Sequence, residues 1–428
     1  MRVWPVIKTG VLAILVGTSL VLTEELWAGG WGGSGEISYS AEPSLPHASV
    51  PAEADVTSPC QIVLSNGNPQ VAAIFMPGTG DYKDWIGRLG AAHIYSLHTG
   101  QVPVNSFVRS VEFDFGVNLN YADLIRWVPG LQPSVLPKQA QTVYLYQTQS
   151  GGPVMLGLVS DSGSYIAQTD LQAAQFASLF HHAILLDPWE VWNRQVGSFV
   201  PKTSFDMFDV TIALNSRSVV PLVHSFFVNP QALTSVPESQ HTILWTDGSR
   251  AVWWDQTKRT LTYADPNIPG RTGVSTMGVP DILSYIESHG GAQTNSLLSQ
   301  STSVTGTNID WTLQPYVYGF PLLNSSQSIQ LATVGSHIAS YQSPVDTWSI
   351  EDRSLVHIID AAQLGQILHQ LMPSTSTNEL SVQLGYVMEN IDSHTGELIP
   401  AYVISQSGMQ LWEIDAVTGK VLKGMKVS

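Results

Sequence analysis

The chain of 428 residues carries 18 Lys and Arg against 34 Asp and Glu, a formal net charge of −16, with 12% charged residues and one cysteine. Neutralising phosphates takes clustered Lys and Arg, and none cluster here, which argues against nucleic acid as a partner. A lone Cys60 leaves no intrachain disulfide, no thiolate zinc site and no Cys-x-x-Cys redox pair. The charged fraction is about half the roughly 25% usual for soluble domains, so the surface is polar but mostly neutral. Few carboxylates also leave little native charge to lose on protonation, an expectation of tolerance to acid.

In chain order, residues 1–4 are expected in the cytoplasm, 5–25 as a transmembrane helix and 26–58 as a flexible linker. Arg2 and Lys8 precede an uncharged run from Thr9 to Thr23, and Glu24 and Glu25 follow it. The anchor residues are Val11, Leu12, Ile14, Leu15, Val16, Leu20, Val21 and Leu22. With Lys8 snorkelling, Pro5 to Thr23 spans about 28 Å, enough to cross a bilayer. The positive-inside rule then leaves the rest of the chain outside. The competing reading is a signal peptide cut at Leu26-Trp-Ala28, although Leu suits that pattern poorly and two glutamates crowd it. Either reading exports the chain. The stretch from Gly29 to Ser58 is rich in Gly, Ser, Pro and Ala and buries too little to offset its ordering entropy.

Strand patterns begin at Gln61. Gln61–Ser65 and Val71–Phe75 flank Asn66-Gly67, whose positive φ suits a tight hairpin. A second strand region covers Thr142–Leu158, and Asp170–Leu186 has helical periodicity with Asp170 able to cap. Further on, the order strand, turn, strand, Tyr-x-x-Pro, helix occurs twice, about 78 residues apart. The first copy has strands 241–246 and 249–254 around Asp247-Gly248, then Tyr263-Ala-Asp-Pro266 and a helix at 279–289. The second has strands 316–323 and 328–333, then Tyr341-Gln-Ser-Pro344 and a helix at 360–372. Strands at 380–388, 398–404 and 409–414 close the chain, joined by the echoing segments Asp392-Ser-His-Thr-Gly396 and Asp415-Ala-Val-Thr-Gly419. These read as turns in which Asp accepts backbone N–H groups and Gly takes the left-handed position; a calcium loop needs more oxygen ligands. The fold class is α+β, with three extracytoplasmic domains at 59–200, 201–300 and 301–428. The later two are expected to share a topology, an antiparallel sheet with one packed helix each.

Catalytic signatures are missing: there is no Gly-x-Ser-x-Gly elbow, His-Glu-x-x-His helix, Ser-x-x-Lys pair or phosphate loop. Gly78-Thr-Gly80 lacks a third glycine and an evident helix start, and reads as a loop. His181 and His182 are adjacent on a helix and diverge by about 100°, so they do not converge on a metal. Cys60 reads as a bystander, and Asp187, Glu190, Glu351 and Asp352 are unremarkable among 34 acids. No catalytic, cofactor or metal site is assigned. Trp253-Trp254 lie in one strand, so their rings face opposite ways; an outward Trp is a candidate protein interface, or packs under a neighbouring domain.

The membrane segment ending Ser19-Leu-Val-Leu-Thr-Glu-Glu-Leu-Trp27, the Leu244-Trp-Thr-Asp-Gly-Ser249 hairpin with Tyr263-Ala-Asp-Pro266, the Tyr318-Gly-Phe-Pro321 strand with Tyr341-Gln-Ser-Pro344, and Glu413-Ile-Asp-Ala-Val-Thr-Gly419 together resemble the YycH family. The resemblance runs in order from residue 1 to about 420 and departs from the family at Trp245, often a tyrosine there, and in a longer tether. It implies a single-pass, non-catalytic extracytoplasmic regulator. Its partners would be the lipid bilayer, a YycI-like sister protein and, through it, a WalK-type sensor histidine kinase controlling cell-wall metabolism. The rival readings are a cell-wall-active enzyme, supported by export, acidity and scattered aromatics, and a secreted inhibitor or binding module.

Overall fold

The computed structural model describes residues 48–67, 71–131, 139–160, 163–186, 189–193, 197–267, 276–302, 308–372 and 380–424. The expected anchor (Val11, Leu12, Ile14, Leu15, Val16, Leu20, Val21, Leu22) and the linker up to residue 47 lie outside them. Among the described residues, no helix is long and apolar enough to cross a membrane. Residues 45–428 cluster as one compact unit. The end of the expected linker is folded: Glu53–Val56 forms a helical turn (α1), and Val56 and Thr57 are fully buried. The Ser49 carbonyl accepts the Ala292 N–H at 3.0 Å, and Glu53 pairs with Arg126 at 3.2 Å. Composition marks this segment as tether because it weighs Gly and Pro over the few apolar residues, Val50 and Val56, that pin it to the core.

The hairpin around Asn66-Gly67 forms with a longer connection than the tight turn expected, since Ser65 pairs with Ala72. Gln61–Ser65 (β1) pairs with Val71–Phe75 (β2), Ile62 opposite Phe75, and Gly67 has φ +84°. Two helices of this region escape the sequence reading. Gly80–Ala91 (α2) starts where a loop is expected, because the Thr79 hydroxyl accepts the Tyr82 N–H, and Tyr82, Trp85 and Leu89 then fall on one buried face. Strands Ile94–Thr99 (β3) and Arg109–Asn120 (β4) follow, and Asn120 caps Tyr121–Trp127 (α3) by accepting the Asp123 N–H. Gln139–Gln147 (β5), Met155–Ser160 (β6) and Gly163–Thr169 (β7) lead to Ala173–Leu186 (α4). Asp170 does not cap this helix; its carboxylate accepts the His93 N–H at 3.0 Å. Trp189–Asn193 (β8) and Ser198–Pro201 (β9) complete an antiparallel sheet in the order β3-β7-β6-β5-β4-β1-β2-β8-β9.

The centre of this first sheet is covered on both faces. Ile62, Leu64, Ala73 and Phe75 join a core with α2 and α4, while Val63, Ala72 and Ile74 join a second core with the C-terminal strands. That two-sided burial is why Ile62-Val63-Leu64 is a continuous apolar run instead of an alternating one.

Beyond Pro201 the chain does not divide at residue 300. Asp206–Asn215 (β10) belongs to a second sheet completed only at the C-terminus. After Val219–His224 (α5), the strands Thr234–Pro237 (β11), Thr242–Thr246 (β12), Ala251–Asp255 (β13) and Thr260–Ala264 (β14) form a meander, and Val279–Ser288 (α6) follows. Ser296–Thr302 (β15), Asn308–Val317 (β16), Phe320–Pro321 (β17), Ile329–Val334 (β18) and His337–Pro344 (β19) then join the same sheet, whose order is β11-β12-β13-β14-β19-β18-β16-β15. The expected boundary between 300 and 301 therefore falls inside β15. The two Tyr-x-x-Pro strands lie side by side at mid-sheet with Tyr263 opposite Tyr341. Thr347–His357 (β20) crosses to the second sheet to pair with β10. There Ala361–Leu371 (α7) and strands Ser381–Asn390 (β21), Thr395–Gln406 (β22), Met409–Asp415 (β23) and Val421–Gly424 (β24) finish the fold.

The repeat thus exists in another phase: a helix leads a four-strand meander twice, α6 with β15-β16-β18-β19 and α7 with β21-β22-β23-β24. The two helices pack in different cores, α6 in the first and α7 in the second. Of the paired turns, Gly419 is left-handed at φ +72° as expected, whereas Gly396 is not and lies within β22.

Candidate functional site

The Trp253-Trp254 hairpin is built by local chemistry. The Asp247 carboxylate accepts the N–H groups of Ser249 and Arg250 at 2.9 and 2.8 Å and pairs with the Arg250 guanidinium at 2.9 Å, while Gly248 takes φ +90°. Strand alternation then divides the two rings. Trp254 is buried in the core with the Arg259 guanidinium 5.5 Å from its ring centre, so it is not available to a partner; Trp253 is half-buried. Only Trp253 remains as an interface candidate.

A larger feature, absent from the sequence reading, is a cavity of about 590 Å³ where the three sheets meet. Along β4 the residues alternate: Val111, Phe113, Phe115, Val117 and Leu119 fill the first core. Ser110, Glu112 and Asp114 point the other way and line the cavity with Cys60, Tyr144, Tyr316 and Gln383. Cys60 is therefore not a loose thiol at the end of a tether. Its N–H and Sγ–H both donate to the Asp114 carbonyl, at 2.7 and 3.3 Å. Burial, reinforced by the Asp114 charge, pushes the thiol well above its ordinary range. Burial likewise raises the Asp114 carboxyl and the Tyr316 phenol. Burial thus holds Cys60, Asp114 and Tyr316 toward their neutral forms, with the sulfur in the poorly nucleophilic thiol state. Beside the cavity, Ser198 of β9 donates to the Val382 carbonyl at 2.7 Å and accepts the Val382 N–H at 2.8 Å, which ties the first sheet to β21.

The other singled-out residues do not converge. Glu190 is on β8, Glu351 and Asp352 are exposed on β20, Asp187 lies outside the described residues, and His181 and His182 are on α4. Among the described residues no group of three or more His, Cys, Asp or Glu is placed to hold a metal ion.

These elements define the class: an α+β protein of three antiparallel sheets with two helix-led meanders. Within that class the fold is that of YycH. The crystal structure of YycH from Bacillus subtilis matches with a TM-score of 0.57 at 10% identity, over 85% of this chain and 97% of that one. A protein from Eubacterium rectale (TM-score 0.35, 11% identity, 51% of this chain and 87% of that one) and the C-terminal domain of Bacillus megaterium YpeB (0.23, 12%, 49% and 98%) are only distantly alike. No protein-family model matches the chain, and neither does any curated protein.

Proposed function

We propose that the protein is a non-catalytic regulator of a membrane sensor histidine kinase of the WalK type, working with a YycI-like partner in two-component signalling over cell-wall metabolism. The observation that carries this reading is the fold likeness to YycH, which extends over 97% of that chain and not over one module of it. The expected transmembrane helix over 5–25 would hold the folded part outside the cytoplasm and confine encounters to two dimensions, so modest interfaces suffice. Binding that favours one arrangement of the kinase helices biases its on and off states by the difference in affinity. Trp253 is the proposed contact on the outer domains. Deleting the gene and measuring phosphorylation of the cognate response regulator in intact cells tests the reading. A change of about threefold or more, restored by the wild-type gene, is expected; unchanged phosphorylation under wall stress contradicts it.

A further inference from the structure

A second, smaller cavity of about 310 Å³ opens beside the first and shares Ile74, Met76 and Trp189 with it. Aromatic rings dominate its walls, among them Trp189, Phe205, Phe208, Tyr318 and Phe320, with the carboxylates of Asp81 and Asp206, the latter also paired with His357 at 2.9 Å. The rings form two contacting groups: Trp189 and Phe205 are 5.9 Å apart and Phe205 and Phe320 stack at 6.0 Å, while Phe208 and Tyr318 tilt together at 4.7 Å. No Lys, Arg or His lines it.

We propose that this cavity is a binding site for a small organic cation of the quaternary or alkylammonium class. Aromatic faces carry negative potential and attract a cation that sheds water easily, and carboxylates add a direct Coulomb partner. Two of the rings already do this within the molecule, since the Arg353 guanidinium lies 4.6 Å from the Phe208 centre and 5.1 Å from the Tyr318 centre. Arg353 does not line the cavity, so it marks the rings as cation acceptors without filling the space. Tyr318 at φ +48° and Gly319 at φ +88° form the two-residue hairpin turn between β16 and β17, with Val317 opposite Phe320, which sets the ring in the wall. One further observation points to a ligand. Tyr386, also in the wall, is fully buried, and its hydroxyl makes no hydrogen bond of standard geometry. The proposal stands apart from the kinase reading.

The test titrates purified full-length protein with choline and, in parallel, with its neutral isostere 3,3-dimethylbutan-1-ol, followed by Trp fluorescence and ligand-observed NMR. Choline is expected to bind saturably and about tenfold more tightly than the isostere. Asp206→Asn and Tyr318→Leu, both at accessible positions and checked for fold by circular dichroism, should each weaken choline by about threefold or more. Arg353→Met should tighten it by removing a positive charge that competes for the same two rings. Phosphatidylcholine vesicles form a second arm: co-sedimentation competed by choline assigns the lipid headgroup, and choline binding without it assigns a free solute. Equal affinity for choline and the isostere, or no saturable binding of choline by folded protein, overturns the proposal.

Discussion

Ser198 ties the first sheet to β21. Its hydroxyl satisfies both the N–H and the C=O of Val382 in a buried setting, so Ser198→Ala leaves two backbone groups without partners. Equilibrium urea denaturation should show a loss of about 2 kcal/mol. Asp123 gives a pH dependence. Burial, with the neighbouring Glu53 carboxylate, pushes its carboxyl up to about 6, above the roughly 3.9 of an unfolded chain. A raised folded pKa means the native state binds the proton more tightly, so this group adds stability as pH falls from about 6 toward 4 and withdraws it above 6. Asp123→Asn removes that gain, and wild type should therefore improve relative to the variant between pH 7 and pH 4. Asp247 acts in the opposite sense. Burial disfavours its ionisation, but the N–H groups of Arg250 and Ser249 outweigh that and hold the carboxyl below the usual range. Its contribution is present above the unfolded pKa and lost in acid. The low carboxylate content therefore does not set acid stability alone; which carboxylates are buried decides the slope.

At the scale of elements, Asp360 and Gln363 close a capping box on α7, each side chain accepting the other residue's backbone N–H, at 2.9 and 3.0 Å. Asp360→Ala should cost about 1 kcal/mol, measured by thermal denaturation. Gly385 on β21 lies where a Cβ would collide with the Pro321 carbonyl and Leu323 of β17 and the loop after it. Gly385→Ala should therefore destabilise by about 1–3 kcal/mol and raise amide exchange in β21 first. Elements with local chemistry are legible in the sequence: the Asp247-Gly248 turn and the start of α7 at Asp360 each act within four residues. The starts of α2 and α3 carry equally local signals in Thr79 and Asn120, masked by flanking glycines and by the strand pattern of β4. Sheet membership is not legible. β10 pairs with β20 and β22 across gaps of well over a hundred residues, and no residue in Asp206–Asn215 encodes that choice. The junction cavity escapes for the same reason, since its walls run from Cys60 to Leu384 and their polar residues look like ordinary outward positions of separate strands.

For the molecule as a whole, the two cores share the first sheet, Ile62 and Leu64 on one side and Val63 on the other, so neither can melt while leaving the other intact. Purified protein should lose near-ultraviolet and far-ultraviolet circular dichroism in one coincident urea transition. The same architecture would transmit a force on the segment 48–58 into the first core, because that segment is tied to Arg126 and Ala292 beside it. A regulator tethered there would report partner binding as a rigid body and not through a flexible arm. The central claim is the regulatory one, and mild cross-linking of intact membranes followed by affinity purification and mass spectrometry tests it most directly. The account predicts co-purification of a sensor histidine kinase and a second single-pass protein, both reduced at least about threefold by Trp253→Ala, as expected for a hot-spot aromatic. Recovery of neither partner from membranes that retain the folded protein would contradict it.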